Sequence, residues 1–311
     1  MINIIGHRYR YFALSLLVIL PGLLLWGYMI SQKTLPLAID FTGGSLLEVR
    51  FANAQPTDEE IIRLYESLGV EDSQVQVTGG GSYVMRSSIL EETVRASIVD
   101  ELKKKFNSDI EMLRFESVGP TIGKEVTARA GQAVAVAALI VAVYMTFAFR
   151  GIPHAVRYGV CAIIAMIHDV AIVLSLGAIG SILWGWQIDS LFLTALLTVI
   201  GFSVQDKVVV FDRIRENTGI FRRLPFETLV NHSIVQTLQR SINTQLMTVE
   251  FMLLSLALFG GVTLREFSVI LLVGLLSGTY SSIFIAAPIL VVWENREWKT
   301  WFRRKKSAAT T

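Results

Sequence analysis

The sequence predicts a polytopic α-helical membrane protein with six transmembrane helices, plus a small extracytoplasmic α+β domain (βαββαβ, ferredoxin-like) between helices 1 and 2. Three observations predict this. Of 311 residues, 52% are hydrophobic and 17% charged, against about 25% charged in a soluble domain. The apolar residues gather into runs, several of them near the roughly 20 residues needed to cross hydrocarbon. One long stretch after the first run regains its charge and alternates between strand-like and helix-like patterns.

The chain begins MINIIGHRYR, with Arg8 and Arg10, and residues 11–30 are almost wholly apolar. That run lacks a small-x-small cleavage pattern and reads as a retained anchor. Pro21 and Gly22 are tolerated inside such a helix. Residues 31–125 form the predicted α+β domain, folded outside the lipid. GSLLEVRF (44–51) is strand-like. Thr57 is the expected N-cap of a helix over 57–69, with Glu60 completing a capping box and Gly69 ending it. QVQVT (74–78) and SYVMRSS (82–88) flank Gly79-Gly80-Gly81 as a hairpin. Residues 90–106 carry apolar residues at helical spacing, and 110–118 alternate again. The order is that of a split βαβ motif.

The remaining apolar runs are 132–149, 156–179, 188–211, 246–259 and 267–292, with Gly260-Gly261 turning the chain between the last two. The expected division is an N-terminus with first helix (1–30), the α+β domain (31–125), a five-helix bundle (126–293) and a basic tail (294–311). Lys and Arg set orientation through the short loops. Basic residues fall at Arg8 and Arg10, at Arg150 and Arg157, in the 212–240 loop, and in the tail from Arg296 to Lys306. The 180–187 loop has none. Six spans place all four basic segments on one side. Both termini are then cytoplasmic, and domain 31–125 is extracytoplasmic.

Several polar residues interrupt the apolar runs. Asp169 is expected roughly 18 Å into the bilayer above Arg157, and Asp206 about 10 Å above Arg213, at 1.5 Å per residue. A charge at such depth costs roughly 2.5–3.5 kcal/mol or more, and intramembrane carboxylates mark proton relays. Thr198, Phe202 and Asp206 recur at four-residue spacing, with Val199 and Ser203 alongside, and are expected to form an inward face. His168 adjoins Asp169 as a supporting residue. Lys207 and Glu250 are expected to pair between the fourth and fifth helices. Asp189 is the expected N-cap of the fourth helix. Arg213, with Asp212, Arg215 and Glu216, is expected to form a salt-bridged elbow at its cytoplasmic end. Gly274 and Gly278 form a Gly-x-x-x-Gly motif that permits close helix contact.

The sequence shows no nucleotide-binding loop. The four histidines have no ligand spacing, and the lone Cys161 lies in an apolar run. No catalytic residue, cofactor, metal or nucleic-acid partner is expected. The protein reads as a non-enzyme whose work draws on an ion gradient, with protons as the coupling ion, or on a partner.

Asp40-Phe41-Thr42-Gly43-Gly44 after the first span, Val118-Gly119-Pro120-x-x-Gly123 before the second, and the 201–217 stretch together resemble the SecD/SecF family. These are bacterial protein-export membrane proteins of the resistance-nodulation-division superfamily, and the match is to their SecF branch. The resemblance covers essentially the whole chain. It implies a place in the bacterial cytoplasmic (inner) membrane. It also implies action with SecD on the SecYEG translocon, using the proton-motive force to draw unfolded preprotein across the lipid bilayer. Asp206 matches the family's fourth-span aspartate, implicated in proton movement, and His168-Asp169 matches its third-span His-Asp. The chain departs from the common pattern at Phe202 (usually Tyr), Gln205 (often Asn) and Lys207 (often Thr or Ser). The competing expectation is half of a proton-driven small-molecule or lipid exporter of the same superfamily.

Overall fold

The computed structural model describes residues 2–32, 34–70, 72–77, 81–150, 155–245, 251–259 and 262–301. In chain order its elements are α1 (Arg8–Gln32), α2 (Ile39–Thr42), β1 (Gly44–Phe51), α3 (Asp58–Ser67), β2 (Gln74–Val77), β3 (Ser82–Ser87), α4 (Glu92–Phe106), β4 (Ile110–Val118), α5 (Pro120–Ala148), α6 (Ala155–Trp184), α7 (Ser190–Ile220), α8 (Phe226–Gln245), α9 (Phe251–Phe259), α10 (Val262–Ser281), α11 (Ala287–Glu294) and α12 (Trp298–Trp301). The chain divides into two compact units. One comprises Met1–Gln32, Ala135–Ala178 and Thr194–Thr311. The other comprises Lys33–Val134 and Ile179–Leu193.

The second unit holds a four-stranded sheet in the order β2-β3-β1-β4. Every neighbouring pair is antiparallel, with a register shift at Glu48/Val49. Strand periodicity sends alternate residues to opposite faces. Leu47, Val49 and Phe51 of β1 therefore join Ile61, Leu64 and Tyr65 of α3 and Ile98 and Leu102 of α4 in one buried core. Leu46 and Val84 point the other way, to Ile39 of α2. Thr57 and Glu60 close the expected capping box at α3, with the Thr57 N–H donating to Glu60 Oε2 at 3.0 Å. Gly69 supplies the left-handed φ of +76° just beyond that helix, a conformation that costs glycine little.

Among the described residues, five helical stretches are long and apolar enough to cross a membrane: Ile5–Gln32, Pro120–Ala148, Ala155–Trp184, Ser190–Ile220 and Leu264–Glu294. The predicted run 246–259 is represented by α9 alone, because 246–250 lie outside the described residues, as does the expected Gly260-Gly261 turn. Two boundaries correct the sequence reading. The helix expected from 132 begins at Pro120, because proline suits the first turn and an Arg129–Glu125 pair at 2.6 Å bridges its polar start. Hydropathy is blind to those polar turns. The 212–240 segment expected as a loop is mostly helix: α7 runs on to Ile220, and α8 follows. Leu229, Val230 and Ile234 of α8 are buried with Ile4, Ile5 and Phe211.

In the first unit, Phe149, Tyr158 and Phe211 pack ring against ring at 5.4–5.8 Å beside the buried Cys161. Gly274 and Gly278 let α10 approach α7. A Cβ on Gly274 would lie 2.3 Å from a Val199 methyl, and one on Gly278 would lie 3.2 Å from Ser203 Cβ. Residues Ser282–Ala286 form a π-helical turn just before Pro288. That local widening adjusts the backbone hydrogen bonding beside a residue that lacks an N–H donor.

Candidate functional site

Three helices of the first unit bring polar side chains to one buried point. Asp169 (α6) and Lys207 (α7) are both 0% exposed, and Lys207 Nζ lies 2.7 Å from Asp169 Oδ2. Each charge costs several kcal/mol to desolvate, and attraction repays that only with good geometry and further hydrogen bonds. Those bonds are present. Ser277 and Ser281 of α10 donate to Asp169 Oδ1 and Oδ2 at 2.9 and 2.7 Å. Ser203 of α7 donates to Oδ2 and accepts from Lys207. Lys207 also donates to the Ser203 carbonyl at 3.3 Å. The ammonium's three protons thus meet three oxygens, the full donor capacity of a lysine.

His168 extends the cluster. Its Nδ1 lies 3.1 Å from Asp169 Oδ1, and its ring lies nearly parallel to Tyr280 at 6.1 Å. His168 Nε2 is buried and has no hydrogen-bond partner among the described residues. Asp206 is 6% exposed. It adjoins Lys207 in the chain and adds its charge to the same site.

The sequence-predicted residues therefore separate. The structure gathers Asp169, His168, Lys207 and Asp206, with Asp169 and Lys207 at the centre. It does not gather Thr198 or Arg213. Thr198 donates within its own helix to the Thr194 carbonyl at 2.7 Å, and Phe202 is 37% exposed. The inward face of α7 runs instead through Val199, Ser203, Lys207, Val210 and Ile214, all buried. The expected Thr198–Phe202–Asp206 face is rotated because the helix turns Lys207 inward and leaves Asp206 at the flank.

Among the described residues Lys207 pairs with Asp169, on the third predicted span. Glu250 lies outside the described residues. Arg213, half-buried, pairs with Glu216 at 2.8 Å, and the exposed Arg215 pairs with Asp212 at 2.8 Å, all within α7. Such surface pairs contribute about 0–1 kcal/mol. What holds the end of α7 is Asn217, 2% exposed, whose Nδ2 donates to Ser233 and Gln236 of α8 at 2.8 and 2.9 Å.

Ser277, Ser281 and Asn217 were not singled out from the sequence. A signal for the serines existed: Gly274, Ser277, Gly278 and Ser281 fall at i, i+3, i+4 and i+7, one face of a helix. Chemically, the site is a carboxylate and an ammonium that hold three helices through a single pair. Adding a proton to the carboxylate would dissolve that pair.

Comparison with known proteins places the chain among export proteins. The model of the C-terminal part of the protein export membrane protein SecD/SecF matches residues 98–296, which include the whole cluster. The SecD/SecF GG motif matches residues 28–55. Protein translocase subunit SecF of Anaerolinea thermophila is 62% identical over all 311 residues of this chain and its own full length. That of Thermobaculum terrenum is 45% identical over 99% of each chain. Among solved structures, SecDF, a translocon-associated membrane protein from Thermus thermophilus, superposes with a TM-score of 0.81 and 32% identity over 95% of this chain. The present chain spans 39% of that longer protein.

Proposed function

The chain belongs to the SecD/SecF family of protein-export membrane proteins, and on that premise we propose that it couples the proton-motive force to preprotein movement through its buried Asp169–Lys207 pair. The observation that carries the reading is the pair itself, fully buried and bonded across α6, α7 and α10. Such a pair is weak support for stability but an effective two-state lock. A proton delivered to Asp169 neutralises the carboxylate and removes the counter-charge of Lys207. The ammonium then turns to Asp206, the buried carboxylate beside it. The bonds from Ser277 and Ser281 to Asp169 weaken with the loss of charge, and α10 is freed relative to α6. Release of the proton restores the first arrangement. His168, bonded to Asp169 through Nδ1, is the neighbouring group fit to pass the proton.

In this reading the segment 246–259 completes six spans in the bacterial cytoplasmic membrane. Both termini lie in the cytoplasm and the α+β domain lies outside. The clustering of basic residues in the short loops supports that orientation. The sheet order β2-β3-β1-β4 supports a ferredoxin-like outer domain. SecD is the partner chain. Support comes from the relatives called SecDF, of which this chain spans only about a third. SecYEG and the unfolded preprotein are the further partners, and no covalent catalysis takes part.

The test is export of a secreted reporter into membrane vesicles with an imposed proton gradient. Asp169→Asn and Asp206→Asn are expected to lose the gradient-dependent component and keep the rest. Wild-type export by both variants would sink the reading.

A further inference from the structure

The Asp40-Phe41-Thr42-Gly43-Gly44 motif is not part of the ion-pair cluster, and its geometry within the second unit assigns it a separate task. The Asp40 carboxylate accepts the Ser190 backbone N–H at 2.9 Å and also the Ser190 hydroxyl. Ser190 opens α7, the helix that further on carries Lys207 and Asp206. The attachment is reinforced by backbone: the Ile188 N–H donates to the Pro36 carbonyl at 2.7 Å, and the Ala38 N–H to the Ile188 carbonyl at 2.9 Å.

The other end of the motif grips the start of α5. The Thr127 hydroxyl donates to the Phe41 carbonyl at 3.1 Å. Gly43, at φ +77°, leaves room where a Cβ would lie 2.9 Å from Pro120 Cα. A Cβ on Gly123 would lie 2.8 Å from the Gly43 nitrogen. The last residue of the motif, Gly44, opens β1, a central strand of the sheet. One short segment therefore ties together the sheet, the start of α5 and the start of α7.

Helix capping does not account for Asp40. Asp189 already occupies the N-cap of α7, its Oδ1 accepting the Phe192 N–H at 2.7 Å. A second carboxylate beside it works against the first. Burial pushes the Asp189 carboxyl up, and the charge of Asp40 pushes it further. Arg114 of β4 offsets part of that field. A remote acid held next to an already capped helix, against repulsion, does more than end the helix.

We propose that Asp40 is a positioning residue that clamps the first turn of α7 to the α+β domain, so that movement of α7 in the proton cycle is handed to that domain. The inference rests on the proton-coupled reading above.

The test uses the full chain with its partner in sealed vesicles, and an environment-sensitive fluorophore at one of two exposed positions. Glu66 on α3 reports the domain and Glu216 reports α7. In the parent chain both fluorophores respond to an imposed proton gradient. In Asp40→Ala the Glu216 signal persists while the Glu66 signal falls at least about fivefold. Asp40→Asn retains both signals, since the amide oxygen still accepts from Ser190. If Asp40→Ala folds poorly, the Asp40→Cys/Ser190→Cys pair replaces it: oxidation to a disulfide keeps the Glu66 signal and reduction removes it. An undiminished Glu66 signal in Asp40→Ala, or in the reduced cysteine pair, overturns the clamp. So does loss of both signals in a folded variant. A Glu216 fluorophore silent in the parent chain overturns instead the proton-coupled reading on which the clamp rests.

Discussion

At the scale of residues, Lys207 is the side chain with the most at stake, because it is fully buried and its charge is answered by Asp169. Removing one partner of such a pair leaves an uncompensated charge and costs about 3–5 kcal/mol, whereas replacing both with apolar groups of similar volume is often neutral. Lys207→Met alone is therefore expected to lower stability by about that much in thermal unfolding in detergent. Asp169→Leu with Lys207→Met should recover most of the loss and still fail to respond to a proton gradient. Recovery of the response along with stability would mean that the pair only locks helices. The charged members of the site were legible in the sequence because charge in an apolar run requires a reason. Their pairing was not. A carboxylate and an ammonium next to each other in sequence, Asp206 and Lys207, lie about 100° apart around a helix, and the rotation that decides which faces Asp169 is fixed by the packing of α6 and α10. Ser277 and Ser281 escaped notice because a serine is inexpensive in a transmembrane helix, where its hydroxyl can bond its own backbone.

At the scale of elements, close helix contact and caps set the geometry. Gly274 sits where an added methyl would lie 2.3 Å from Val199, while nothing lies within 4 Å of a Cβ on Gly201. Gly274→Ala is expected to destabilise by about 1–3 kcal/mol, the usual range for overpacking. Gly201→Ala should be neutral or stabilising by up to about 1 kcal/mol. Thermal unfolding of the two variants side by side checks this, and equal effects would show that the α7–α10 contact is looser than described. In the α+β domain, hydrogen bonds from the Thr57 backbone N–H and hydroxyl hold the Glu60 carboxyl below its ordinary value of 4.5. A lowered folded value means that the stabilisation is complete above the unfolded value and is lost as pH falls through the folded one. Hydrogen exchange of the α3 amides should accordingly quicken, beyond its intrinsic pH dependence, as pH drops below about 4.5. Glu60→Gln should remove that acid dependence, and Thr57→Ala should cost about 1 kcal/mol at neutral pH. The capping box was legible because its two residues are local. The early start of α5 and the helices over most of 212–245 were not, because both are polar segments whose helicity shows in caps, in ion pairs one turn apart and in a buried stripe, which mean hydropathy does not register.

At the scale of the whole molecule, chain order and function are linked through α7. Its first turn receives Asp40 and Asp189, its middle carries Ser203, Asp206 and Lys207, and its end is tied to α8 by its own Asn217, which donates to Ser233. A mostly helical chain with long apolar helices and a small antiparallel sheet followed from composition and spacing, since apolar runs and an alternating polar insert have few other solutions. The expected six spans and their orientation stand on the sequence alone, through its apolar runs and its distribution of Lys and Arg. Proton uptake by Asp169 is the step on which the proposed coupling depends. Infrared difference spectroscopy of the protein in lipid, on stepping from neutral to acidic pH, measures this directly through the carbonyl stretch of a protonated carboxyl group. A band that is present in the parent chain and absent in Asp169→Asn is the predicted result. A band unchanged in Asp169→Asn, or no such band across the pH range in which gradient-dependent export operates, would contradict it.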